Sequence, residues 1–136
     1  MRQRSGLLIL AVLVTLVACS GSVKQRADTA LSTALAATNA ARDQFLAWDK
    51  AHQLELVEAA QTREQGEASL AAYRAKRAPV LHAFTVAYAS IGAAAALVPL
   101  VERGIRKDTE LTGLIAEAAA AIAAIREAVA ALRGSP

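Results

Sequence analysis

Few residues in this chain have side chains suited to chemistry. Cys19 is the only thiol among 136 residues; it closes an apolar run and is followed at once by Ser20, Gly21 and Ser22. A lone thiol cannot form an internal disulfide; the alternatives are a modified cysteine and a buried free thiol inside an anchor helix. Asp49, His52 and Glu55 follow at i, i+3 and i+6, which sets Asp49 and His52 on one helix face within reach of a weakly held cation. One imidazole with two carboxylates is an unspecific set, and the expectation is a half-buried His52 between solvated acids, with no metal site. His82 is expected in a core or an interface. The chain has no Gly-x-Ser-x-Gly elbow, phosphate-binding glycine loop, His-Glu-x-x-His or cysteine pair. No enzymatic activity and no cofactor are expected.

The surroundings of Cys19 give it a role. Residues 1–22 run from a basic start (Arg2, Arg4) through an apolar stretch, Leu7 to Ala18, to a small-residue site, the order of a secretory signal peptide. Twelve apolar residues are short for a membrane span; the longer uncharged run from Ser5 to Val23 leaves an uncleaved signal anchor as the alternative. Leu16, Val17, Ala18 and Cys19 resemble the bacterial lipobox at all four positions. That resemblance implies a lipoprotein precursor: a diacylglyceryl group on the Cys19 thiol, a cut between Ala18 and Cys19, and often a further acyl chain on the new amine. Residues 1–18 are then the signal peptide, 19–22 a lipidated tether and 23–136 a helical domain. Ser20 stands where well-studied Gram-negative lipoproteins kept in the inner membrane carry Asp, so the resemblance implies the outer membrane, facing the periplasm.

Composition narrows the rest. Hydrophobic residues make up 55% of the chain but aromatic ones only 4%, and alanine dominates, which favours helix and contributes little burial per side chain. The formal charge is +3; without Arg2 and Arg4, thirteen basic residues face twelve acidic ones. The remaining cations are scattered among acids with few aromatics to stack bases, so no nucleic-acid partner is expected.

Periodicity predicts an all-α fold. From Ala27 an apolar seam recurs at Leu31, Ala34, Thr38, Ala41, Phe45, Trp48 and His52, with Leu56, Ala59, Leu70 and Tyr73 continuing it, which predicts a long helix over 24–77. Gly66, inside the polar run Gln61 to Glu67, could mark a bend. The Ala78-Pro79 pair predicts a boundary and a second helix over 79–103 with its seam at Leu81, Phe84, Tyr88, Ile91, Ala95 and Val98. Asp108 or Thr109 caps a third helix over 108–133, whose seam is Leu111, Leu114 or Ile115, Ala118, Ile122, Ile125, Val129 and Leu132. The last two helices form an antiparallel hairpin, giving a three-helix bundle or coiled-coil-like packing.

Residues 78–101 hold 24 positions without Asp, Glu, Lys or Arg, enough by length for a membrane span. His82 and the dominance of alanine favour a central bundle helix covered by partners on both sides instead.

The general plan resembles the murein lipoprotein, but Arg133-Gly134-Ser135-Pro136 lacks the terminal Lys that family joins to peptidoglycan. AWDKAHQ (47–53) and KRAPVLHAFTVAY (76–88) resemble small lipoproteins of phage and prophage genomes, some beside lysis genes. The expected function is a lipid-anchored, non-enzymatic envelope protein. Its partners are the membrane, through Cys19, and a helical protein or a second copy of the chain. The alternative is a lysis accessory in which 78–101 spans a membrane.

Overall fold

The computed structural model describes residues 22–134. They form three helices, α1 (Val23–Glu58), α2 (Arg63–Glu102) and α3 (Asp108–Gly134). The connections 59–62 and 103–107 are short, so consecutive helices run antiparallel in an up-down-up bundle. At 1.5 Å per residue α1 is about 54 Å long, α2 about 60 Å and α3 about 40 Å. The shorter α3 leaves the far end of the α1–α2 hairpin without a third helix.

The first two helices begin with a satisfied cap, whereas Asp108, expected to cap the third, is its first helical residue. Ser22 Oγ accepts a hydrogen bond from the Gln25 N–H at 3.2 Å, so the cap of α1 lies three residues after Cys19. α2 opens on a variant of the capping box: Thr62 Oγ1 accepts from the Gln65 N–H at 3.2 Å, and Gln65 Oε1 accepts from the N–H of Gln61, the residue before the cap, at 3.1 Å. Asp108 and Glu110 place negative charge in the first turn of α3, where the helix dipole favours it.

This capping box overturns the expected boundary. The first helix ends at Glu58, not near residue 77, and the segment expected to start at Pro79 is the second half of one 40-residue helix. Pro79 and Pro99 both lie inside α2. Each removes a donor from the carbonyl four residues earlier, Ala75 or Ala95, at a cost of about 3 kcal/mol. Both prolines and both of those alanines are exposed, so water can reach the freed carbonyls. The adjacent seam of Val80, Phe84 and Ala87, buried against the other helices, offsets the loss. Gly66 is no bend: it is buried in the first turn of α2, where an added Cβ would meet Ala60 Cβ at 3.5 Å.

The core is a run of heptad seams. Its lower part joins Leu31 and Ala34 of α1 to Ile91, Ala94 and Val98 of α2 and to Ile122 of α3. The upper part gathers around Phe45, with Val80, Phe84, Ile125 and Leu132. The seam expected on α3 matches its buried residues, with Ala121 added. On α1 Ala27, Leu31, Ala34, Thr38 and Phe45 are buried, whereas Ala41, Trp48, His52 and Leu56 are half-buried and Ala59 is exposed. Asp49, expected to be solvated, is buried because it turns into the α1–α2 interface. On α2 the buried positions are Val80, Phe84, Ala87, Ile91, Ala94, Val98 and Val101, while Leu81 and Ala95 face outward. The shift follows from α2 touching both neighbours. Buried Thr38 returns its hydroxyl to the Ala34 carbonyl at 2.8 Å.

A Schellman turn ends α2. Gly104, at φ +69°, donates to the Val101 carbonyl at 2.9 Å, and Ile105 donates to the Leu100 carbonyl at 2.9 Å. Nothing lies within 4 Å of a Cβ added at Gly104, so Gly104→Ala isolates the backbone cost of the left-handed conformation. It is expected to destabilise the bundle by about 1 kcal/mol in urea unfolding.

Candidate functional site

The most elaborate side-chain cluster lies where α3 ends and the α1–α2 hairpin continues. Asp49, on α1, is 4% exposed, and a carboxylate that is so deeply buried must be compensated by donors. Three are present: Tyr73 Oη donates to Oδ1 at 2.6 Å, while Arg77 Nη1 and Gln53 Nε2 each donate to Oδ2 at 2.9 Å. Tyr73 and Arg77 are four residues apart and therefore share one face of α2. The polar clamp locks α1 to α2 at a single register. Among the described residues no buried side-chain nitrogen or oxygen lacks a partner.

An aromatic group wraps this clamp. Phe45 packs on Phe84 at 5.9 Å and on Trp48 at 6.2 Å between ring centres. Trp48 stacks on His52 at 5.1 Å with the planes 8° apart, and Tyr73 meets the His52 ring edgewise at 4.9 Å. The guanidinium of Arg133, at the end of α3, lies over the Trp48 ring at 5.0 Å, a cation–π contact. Through Arg133 the last turn of α3 is fastened to the hairpin.

Burial first, and then the hydrogen bond to Asp49, push the Tyr73 hydroxyl pKa well above its ordinary 10.0, with Arg77 acting in the opposite direction. The folded chain therefore keeps a proton that the unfolded chain releases near pH 10. The contribution is full below that pH and is lost as pH rises beyond it. Unfolding midpoints measured across this alkaline range are expected to fall more steeply for the wild type than for Tyr73→Phe.

The clamp separates the three residues considered for a metal. Asp49 turns inward to its donors, whereas His52 Nδ1 lies 3.4 Å from Glu55 Oε2 on a carboxylate side chain that is 73% exposed. Among the described residues no group of three or more His, Cys, Asp or Glu side chains converges. His82, expected in a core or interface, is exposed on α2. An open groove of about 740 Å³ runs between α1 and α3 over alanines, Phe45 and Ile125, with Arg126 and Arg133 at its edge; α1 and α3 are the helices least in contact.

Ala18, Cys19 and Ser20, the residues expected to be cut, lipidated and used for sorting, lie outside the described residues, as do the signal segment 1–18 and all of the tether except Ser22. Asp49 and Arg77 were missed as a pair by sequence reasoning. The signal for them is an arginine on the seam of α2, between Tyr73 and Val80, which requires an acid across the interface.

The fold defines an all-α, up-down-up three-helix bundle. No family model matches the chain, and neither a curated protein nor a solved structure does.

Proposed function

We propose that this chain is a lipid-anchored, non-enzymatic protein of the bacterial cell envelope, whose helical bundle serves as a structural or interaction module standing on the membrane. The observation that carries the reading is the sequence Leu16-Val17-Ala18-Cys19 at the end of a signal-like apolar stretch, three residues before the Ser22 cap of α1. Two or three acyl chains hold a protein stably, whereas one is marginal. A tether of this length keeps the bundle at the bilayer surface. Ser20 favours the outer membrane, and the partner beyond the lipid is a helical protein or a second copy of the chain.

A second reading is favoured by one observation. Among the described residues α2 alone is long and apolar enough to cross a membrane, with a mean hydropathy of 1.9 over its most apolar window and only 28% of that window buried. The helix packs on both neighbours but leaves an outward face uncovered. Its outward face carries Leu81 and Val86 among Ala78, His82, Thr85, Ala89, Gly92 and Ala96, mostly small residues that contribute little to insertion. A chain that starts at Ser20 separates the readings. If the lipid on Cys19 is the membrane attachment, this lipid-free chain is expected to be soluble and helical by circular dichroism; if α2 spans, it stays in the membrane pellet after alkaline carbonate washing.

A further inference from the structure

The end of the bundle that carries the anchor has a surface of its own. Lys24 Nζ lies 3.7 Å from Glu102 Oε1, which sets the start of α1 beside the end of α2 and beside the loop 103–107. That loop reads Arg103-Gly104-Ile105-Arg106-Lys107, three cations and no acid, and every residue in it is exposed. Ile105 is 62% exposed, more than any other large apolar side chain described. It is also held in place: its N–H and that of Arg106 both bond the Leu100 carbonyl, at 2.9 and 3.2 Å. The nearby acids are largely engaged, Glu102 by Lys24 and Glu110 by Arg106 at 3.3 Å, with Asp108 at the start of α3.

We infer that loop 103–107 is a membrane-contacting edge, with Ile105 entering the headgroup region and Arg103 and Lys107 meeting the phosphates of anionic lipids. The inference rests on the lipid anchor at Cys19. From Cys19 to Ser22 the chain spans three residues, at most about 11 Å, so a lipidated chain holds this end of the bundle close to the bilayer. Leu54 and Val57 are also exposed, but they sit near the far end of α1, about 50 Å away, beyond the reach of that tether. An apolar side chain set among cations suits the interface of an anionic leaflet, where each basic residue near the surface adds attraction.

Labelling the full lipidated chain tests this. Cys19 is the only cysteine and its thiol is occupied by lipid, so Ile105→Cys creates one free thiol for an environment-sensitive dye, with Leu54→Cys as the distal control. The proteins are reconstituted in vesicles of phosphatidylglycerol with phosphatidylethanolamine, and separately in phosphatidylcholine. The dye at 105 is expected to shift to the blue and be quenched by spin-labelled lipid in the anionic vesicles, more weakly in phosphatidylcholine, while the dye at 54 stays aqueous in both. Adding Arg103→Gln and Lys107→Gln is expected to lower the docked-to-undocked ratio by on the order of tenfold. An aqueous signal at 105, or equal signals in the two vesicle types, on protein whose mass shows lipid on Cys19, overturns the inference alone. Absence of that lipid overturns the anchor reading and this inference with it.

Discussion

Replacing Asp49 by alanine is expected to lower the stability of the bundle by about 3 to 5 kcal/mol, the range for breaking a buried ion pair by removing one partner. The Asp49 side chain is 6% exposed and that of Arg77 24%, so the loss belongs toward the lower end of that range. Most of the penalty arises from what remains behind. Without the carboxylate the Tyr73 hydroxyl loses its acceptor in a buried position and the Arg77 guanidinium keeps a charge that water only partly reaches. Asp49→Asn retains an acceptor for Tyr73 and is expected to cost less. Arg77→Met combined with Asp49→Ala is expected to recover part of the loss, because it removes the orphaned charge as well. Chemical unfolding followed by far-ultraviolet circular dichroism reads all three. A loss below about 1 kcal/mol for Asp49→Ala, the scale of an exposed pair, means that the clamp does not hold the hairpin.

The second large effect concerns the other end of the chain. Cys19→Ser is expected to abolish incorporation of labelled palmitate, because a hydroxyl is far less nucleophilic than a thiolate and does not form the thioether that carries diacylglycerol. The cut between Ala18 and Cys19 is expected to be lost with it, leaving a precursor that retains residues 1–18 and migrates more slowly on a gel. The bundle itself starts from the Ser22 cap and does not involve the thiol, so the variant is expected to keep the helical content and thermal midpoint of the wild type's residues 22–134. Palmitate labelling that persists in Cys19→Ser places the acyl group elsewhere and removes the lipobox argument.

The fold was readable in the sequence where one face of a helix carries all the information. The seams of α1 and α3 follow from spacing alone, since each helix buries a single stripe. α2 was harder for two reasons. It packs on both neighbours, so its apolar pattern blurs, and it contains two prolines whose usual meaning is a boundary. The competing signal, Thr62-x-x-Gln65, is a stop-and-restart motif as specific as Ala78-Pro79. Exposure decides between them, since a proline with its freed carbonyl facing water can stay within a helix that is held by its neighbours. Placing the break at 59–62 makes the α2 seam continuous through Tyr73, Arg77 and Val80. A charged residue at such a position calls for a partner, and Asp49 is then the acid to look for.

Local and assembled features were legible to different degrees. The resemblance of Leu16 to Cys19 to a lipobox is a local pattern, readable because it lies in four consecutive residues. The clamp and the basic loop are assembled by antiparallel packing. Asp49 and Arg77 are 28 positions apart, and the chance that Lys24 meets Glu102 cannot be judged before the helix lengths are known.

The most direct measurement is the intact mass and N-terminal residue of the protein purified from membranes of its native host or of a bacterium that processes lipoproteins. The account predicts a chain beginning at Cys19 whose mass exceeds that of residues 19–136 by a diacylglyceryl group, with or without a further acyl chain. A chain that begins at Met1, or a Cys19 that carries a free thiol, contradicts it.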